Sequence, residues 1–454
     1  MPSHNRSRHV LAVLSIVLIA SFVLSACGGA ATPTTAPAPK PAATTAPAAA
    51  PAAAATAAPA PAAAATAAPA AAAATGKYKD APILADQVKA GKLPAVDKRL
   101  PENPYVISEG EVGQYGGVWH RGFTGPSDRN GLVRVVNDGL VRFSVDGSKV
   151  EMKVAESVTP NDKFTEWTIK LRKGSKWSDG SPFTADDIMF WFKDVINNKD
   201  LTPSVPSWLL NKDGSQVKVE KLDEQSVKFT YATPQTLFLQ EIAQKDAGDK
   251  LYPMFLPAAY LKQFHASYAN KADLDKLVAD NKLKTWGELF YLKQDQFDNP
   301  DRPVMSAWKA TNRYSEQIFI MKRNPYYVGV DKAGNQLPYI DEVQVKFFAD
   351  AAALNLAAIA GELDEQERHV QLKNYPVLKE QSNKSGKYNI YLWQSTGGEE
   401  GGVIFNLSYQ KDAERLAMWS NLEFRKAVSY AINRKQMQDS IFLGTGEPRM
   451  GIIK

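Results

Sequence analysis

Few residues in this chain can do chemistry, and their spacing excludes most kinds of it. The 454 residues hold one cysteine, Cys27, and five histidines, His4, His9, His120, His265 and His369. A zinc site draws on thiolates and imidazoles in close pairs, and these histidines are scattered. No GxSxG, HExxH, CxxC or GxxxxGK[ST] pattern occurs, so the usual signs of a serine hydrolase, a zinc protease, a dithiol and a nucleotide loop are missing. Gly397-Gly398-Glu399-Glu400-Gly401-Gly402 is rich in glycine like a phosphate cradle. Its glutamates repel phosphate, and their spacing is not that of a calcium loop, so a turn is expected. Asp186-Asp187 falls in the first turn of an expected helix. The helix dipole favours carboxylates there, which outweighs an acid/base pair. No catalytic residue, metal or cofactor is expected.

Cys27 remains, and a lone thiol has no disulfide partner. Leu24-Ser25-Ala26-Cys27 closes a stretch that reads as a secretion signal: Arg6, Arg8 and His9, then an uncharged run from Val10 to Leu24. That run is shorter than the roughly 17 to 25 residues that cross a bilayer comfortably. The pattern resembles a bacterial lipobox; the alternative is an ordinary signal with a chance cysteine. A lipobox implies a signal peptide over 1–26, lipidation of Cys27, and a chain held on the extracytoplasmic face of a membrane. Residues 28–76 are almost only Ala, Pro and Thr, and PAAAATAAPA at 51–60 repeats at 61–70. With no large apolar side chain to bury, 27–77 reads as a disordered linker. Extended, its roughly 50 residues would reach about 150 Å.

From about Tyr78 aromatic, charged and apolar residues return. Roughly 370 residues exceed one ordinary domain and predict two or more lobes. Lys plus Arg number 54 against 49 Asp plus Glu, too even for a nucleic-acid footprint. Gly116 to Phe123 reads as a first strand, and Val133 to Phe143 as a short helix before a turn at Asp146-Gly147. Trp167, Ile169 and Leu171 alternate as in a half-buried strand. Thr184 precedes Asp187 by three, the spacing of a capping box, and Ile188, Trp191, Phe192, Val195 and Ile196 form one apolar stripe. Two strands are expected within 217–231, helices in 266–300, and strands at 318–321, 343–348 and 403–407. Leu354 to Ala360 reads as a helix ending at Gly361, and Asn421 as the cap of a helix carrying Phe424, Val428 and Ile432. Without strict βαβ alternation the pattern favours α/β lobes with mixed sheets.

Trp167 to Gly174 followed by Trp177-Ser178-Asp179-Gly180-Ser181-Pro182-Phe183-Thr184-Ala185-Asp186-Asp187-Ile188 resembles the signature block of the family 5 extracytoplasmic solute-binding proteins. Arg323-Asn324-Pro325-Tyr326-Tyr327, Leu337 to Val343, Ala360-Gly361-Glu362-Leu363-Asp364 and the 421–437 helix follow in that family's order. These are receptors of ABC importers. The resemblance covers about residues 112 to 454 and implies a bilobal periplasmic-binding-protein-like fold, class II and of the three-domain type. It divides the chain into an N-terminal extension and start of domain I (78–145), domain II (146–265), a return to domain I with a helical insertion (266–384) and the start of domain III (385–454). Members continue past the last helix, so the last lobe is expected to be incomplete at Lys454. The aspartate that peptide-binding members use for the α-amino group has no counterpart here. Pro303 to Trp308 departs from a glycine-rich loop common in the family.

The implied function is capture of a peptide or similar small solute between two lobes and delivery to an ABC importer permease. The protein would act as a monomer, tied to the membrane by its lipid and binding no nucleic acid. A secreted, membrane-anchored hydrolase or a sensor built on the same lobes is the rival. Peptide is the first expectation by frequency; oligosaccharide and nickel stay open. One wall is assigned to Phe123-Thr124-Gly125-Pro126, the other to Trp393-Gln394-Ser395-Thr396-Gly397. Each follows an expected strand and brings one large aromatic among small and polar residues. Trp308, Tyr391 and Trp393 can stack on sugars, although large aromatics are more often core. Trp177 and Phe183 are expected to build a lobe and not to touch solute.

Overall fold

Alternating side chains and turn residues give this chain short strands, and they assemble into two four-stranded sheets. The structure, a computed structural model, describes residues 76–244, 253–393 and 402–447, all within the second of the chain's two units, Ala70–Lys454. In chain order its strands are β1 (Tyr105–Ile107), β2 (Val118–Phe123), β3 (Val141–Phe143), β4 (Val150–Met152), β5 (Ala155–Pro160), β6 (Glu166–Leu171), β7 (Lys218–Lys221), β8 (Ser226–Thr230), β9 (Trp308–Ala310), β10 (Ile318–Arg323), β11 (Gly329–Asp331) and β12 (Glu342–Phe347). One sheet is antiparallel in the order β5-β6-β8-β7. The other runs β2-β12-β10-β9, with β2 and β12 parallel. The short pairs β1-β11 and β3-β4 complete a mixed α/β architecture.

The antiparallel sheet shows how sequence becomes core. Trp167, Ile169 and Leu171 point inward from β6 and are buried. They meet the helix Ala185–Phe190, which continues as a π-turn over Trp191–Ile196. Thr184 and Asp187 form the expected capping box, and Ile188, Trp191, Phe192, Val195 and Ile196 are all buried. Trp177 packs edge-on against Phe183 and Phe255. These anchors share one hydrophobic cluster that also takes in Leu140, Phe290 and Met305. A second cluster under the β2 sheet joins Phe123, Leu132, Tyr314, Phe319, Val343 and Val345.

Two local expectations are corrected. The segment from Val133 to Phe143 is not one helix: the helix lies earlier, at Asn130–Val133, and residues 141–143 form a hairpin with β4 across Asp146-Gly147. Val141 answers to a cross-strand partner that a helical reading does not see. Residues 403–407 form no strand. Ile404 is 90% exposed, and an apolar run becomes a strand only when another strand supplies its hydrogen bonds. The helix Leu422–Ala431 forms as expected, with Asn421 accepting from the Glu423 and Phe424 N–H groups. None of residues 402–447 is buried.

Candidate functional site

β2 carries the first expected wall at its C-terminal end. Phe123 points down into the core, 3% exposed, with its ring centroid 4.4 Å from that of Tyr314. Its side chain is a floor for the loop and not an exposed wall. Thr124 is half-buried and Gly125 buried. Gly125 has φ +142° and nothing within 4 Å of where a Cβ would stand, so the chain turns there with open space beside its backbone.

Asp128, itself buried, fixes this loop. Its Oδ2 accepts from Thr124 N at 3.1 Å and Thr124 Oγ1 at 3.2 Å. The same oxygen lies 2.7 Å from His369 Nε2, while Arg368 Nε donates to Oδ1. The Tyr314 hydroxyl donates to the Asp128 carbonyl from below. Burial alone would raise this carboxyl's pKa, but hydrogen bonds from Arg368, Thr124 and His369 hold it below its ordinary value.

Arg368 and His369 belong to a segment that runs along the free edge of β2. Asp364 Oδ2 accepts from His120 N at 2.7 Å, and Asp364 N donates to His120 O at 3.0 Å. Two residues on, the Gln366 amide accepts from Gly122 N at 3.0 Å and donates to Gly122 O at 3.3 Å. Backbone and side chains thus do for β2 what a neighbouring strand would do, and the edge is covered. Between these, Arg121 Nη2 lies 3.1 Å from Glu365 Oε2 without hydrogen-bond alignment, and Arg134 pairs with Glu367. Asn355 holds the far end: its Nδ2 donates to Ala351 O and His369 O, and its Oδ1 accepts from Gln371 N and Asn374 Nδ2. His369 keeps a left-handed φ of +64°, a conformation histidine tolerates better than most residues.

The second expected wall is described only in part. Tyr391 is 74% and Trp393 78% exposed; Gln394, Ser395 and Gly397 lie outside the described residues, as do Cys27, its signal and the linker up to residue 75. Among the described residues no hydrogen bond, ion pair or ring contact joins Trp393 to the Thr124 loop. Trp308 is partly buried, donates its indole N–H to Ile340 O at 3.0 Å and packs edge-on against Trp119. No cluster of three metal-ligating side chains occurs among the described residues, nor any helix long and apolar enough to cross a membrane.

The sequence reading missed Asp128, Asn355, Gln366 and Arg368. The dense run Asp364-Glu365-Gln366-Glu367-Arg368-His369 was the available signal, but such runs usually mark solvated surface.

Comparison with known proteins places the chain in a family. The bacterial extracellular solute-binding proteins, family 5 Middle, match over residues 149–454. The periplasmic alpha-galactoside-binding protein of Rhizobium meliloti strain 1021 is 28% identical over 388 residues, 79% of this chain and 52% of that protein. Di/tripeptide-binding protein 1 of Pseudomonas aeruginosa is 23% identical over 379 residues, 80% of this chain and 60% of that protein. A solved oligopeptide-binding protein OppA superposes with a TM-score of 0.70 at 37% identity, over 83% of this chain and 58% of that one. MelB of Agrobacterium fabrum C58, solved with stachyose, shares the fold with a TM-score of 0.60 at 24% identity, over 82% of this chain and 56% of that one. The chain spans about half the length of the curated relatives it matches. It belongs to the family 5 bacterial extracellular solute-binding proteins.

Proposed function

We propose that the protein captures a small solute between two lobes outside the cytoplasm and hands it to an ABC importer. The observation that carries this reading is the loop at the end of β2, in a chain of this family. Thr124 and the open side of Gly125 are held in place by a buried carboxylate, which pre-organises polar groups for a ligand. The second wall, Trp393 onward, lies in the segment leading to the third domain; a solute touching both walls would favour the closed state over the open one. The membrane link we propose is a lipid on Cys27, with residues 27–77 as its linker and the binding body monomeric. Relatives named for di- and tripeptides and for alpha-galactosides make peptide and saccharide the two solute classes to test.

The test is retention without turnover. The purified mature protein is incubated with a mixture of peptides, saccharides and nickel, freed of unbound solute, then denatured. Mass spectrometry is expected to find one class of small molecule released unchanged in near-stoichiometric amount. Chemical conversion of the solute, or release of nothing, overturns the reading.

A further inference from the structure

Asp128 and Arg129 are neighbours in the loop after β2, and they reach different parts of the chain. Asp128 is held by Arg368 and His369, from the segment along the β2 edge. Arg129 reaches the turn that follows the helix Trp286–Gln294. Its Nη1 donates to Asp295 Oδ2, and its Nη2 to Asp298 Oδ2 at 2.5 Å. Both carboxylates belong to one turn, in which Asp295 Oδ1 accepts from Phe297 N at 2.9 Å and Asp298 N at 3.2 Å. Two negative charges thus share one guanidinium, and Asp298 Oδ1 is buried with no hydrogen-bond partner among the described residues. Without the cation between them the two carboxylates repel, and the turn is pushed open.

The same guanidinium also holds the loop's own backbone. Arg129 Nε donates to Pro126 O at 3.3 Å, one residue beyond Gly125. The turn bears on the loop a second time through Tyr314. Phe297 O accepts from Tyr314 N at 3.1 Å, and the Tyr314 hydroxyl donates to Asp128 O. Arg129 therefore acts on the loop directly, at Pro126, and indirectly, through the turn that seats Tyr314. A flat guanidinium has the fork to join two carboxylates and a carbonyl at once; an ammonium on a flexible stem is a point charge.

Resting on the solute-capture reading above, we propose that Arg129 is a positioning residue for the solute loop: without touching solute, it fixes the backbone at Gly125 by joining Pro126 to Asp295 and Asp298. Asp128 ties the loop to the β2 edge, and Arg129 gives it a second support from a different part of the chain. A loop held twice need not be ordered by its ligand, which saves affinity.

Hydrogen exchange and the retention experiment, run on the mature protein and on Arg129→Gln and Arg129→Lys, test this. The reporters are the amides of Thr124 and Asp128, which donate to Asp128 Oδ2 and Gly125 O inside the loop. In Arg129→Gln their exchange is expected to speed up about 10-fold or more, while β10 and β12 exchange as in the wild type. Solute released from the same mixture of peptides, saccharides and nickel is expected to fall about five-fold or more. Arg129→Lys keeps the charge and loses the fork, and is expected to fall between. Wild-type exchange at the two reporters in Arg129→Gln overturns the proposal. So does wild-type solute release from a loosened loop, or full wild-type behaviour in Arg129→Lys, which would assign the effect to charge alone. Faster exchange spread equally over β10 and β12 would make Arg129 a general support of the fold and overturns it too. In each of these cases solute capture stands; release of nothing by the wild type removes that reading and this proposal with it.

Discussion

Replacing Asp187 by asparagine separates the two opposing effects that act on the most buried carboxylate of the signature block. Asp187 Oδ2 accepts from Thr184 N at 3.0 Å and Trp177 Nε1 at 3.3 Å, and Oδ1 accepts from Ala258 N at 3.0 Å. These donors favour the carboxylate, but burial outweighs them and pushes its pKa from 3.8 up to about 6. The folded state therefore holds this proton more tightly than the unfolded chain. Acidification from pH 7 to pH 4 stabilises the fold through this group, and that stability is lost as pH rises through about 6. At 1.36 kcal/mol for each pH unit, the contribution across the window is at most about 3 kcal/mol. Asparagine cannot titrate, and its NH2 must face either the Ala258 N–H or the pair from Thr184 and Trp177. The orphaned donor costs about 1 to 3 kcal/mol at every pH. Urea unfolding of wild type and Asp187→Asn from pH 4 to pH 8 reads the difference. The variant is expected to gain on the wild type by up to about 3 kcal/mol as pH rises. A stability difference constant with pH, or one that shrinks for the variant in base, would refute the reasoning.

Other perturbations test other parts. Gln366→Ala removes the amide that covers Gly122 on the edge of β2. It is expected to cost about 1 to 3 kcal/mol in urea unfolding and to promote self-association in sedimentation; wild-type behaviour in both would show that the edge needs no cover. Lys153→Met strands Asp138, whose Oδ1 sits 2.5 Å from the Lys153 ammonium in a buried setting. A loss of about 3 to 5 kcal/mol is expected, with partial recovery in the Asp138→Asn/Lys153→Met double variant. Cys27→Ala is expected to move the protein from the membrane to the soluble fraction or to stall its processing. A variant processed and still wholly membrane-bound would sink the lipid anchor.

What could be read from sequence was local. Trp167, Ile169 and Leu171 announce β6 by alternation alone, and Thr184 with Asp187 announces the helix start because both hydrogen bonds span three residues. Gly361 ends the helix Ala351–Ala360 with φ +74°, which glycine adopts without penalty. What spacing does not give is the partner of a strand. Val141 pairs with Met152 in a hairpin, and the β2–β12 register joins Val118 to Glu342. At 403–407 the right residue types stand with no strand beside them among the described residues, and no strand forms there.

The same division explains why the family was legible and the site less so. The recognisable residues, Trp177, Phe183 and Asp187, are all buried; their spacing is constrained by the fold they build, so the pattern survives in one sequence. The residues that shape the Thr124 loop obey no spacing. Asp128 meets His369 across 241 positions, and Gly122 meets Gln366 across 244. Only the folded chain brings them together, and nothing in a run of charges tells a paired face from a solvated one. Phe123 shows the converse. Its position at the end of β2 was read correctly, but position does not give direction, and its ring points into the core. Trp393 has the other fate, with its ring left bare. A signature that specifies packing thus names the family, whereas the direction of a single side chain such as Phe123 depends on contacts far away in sequence.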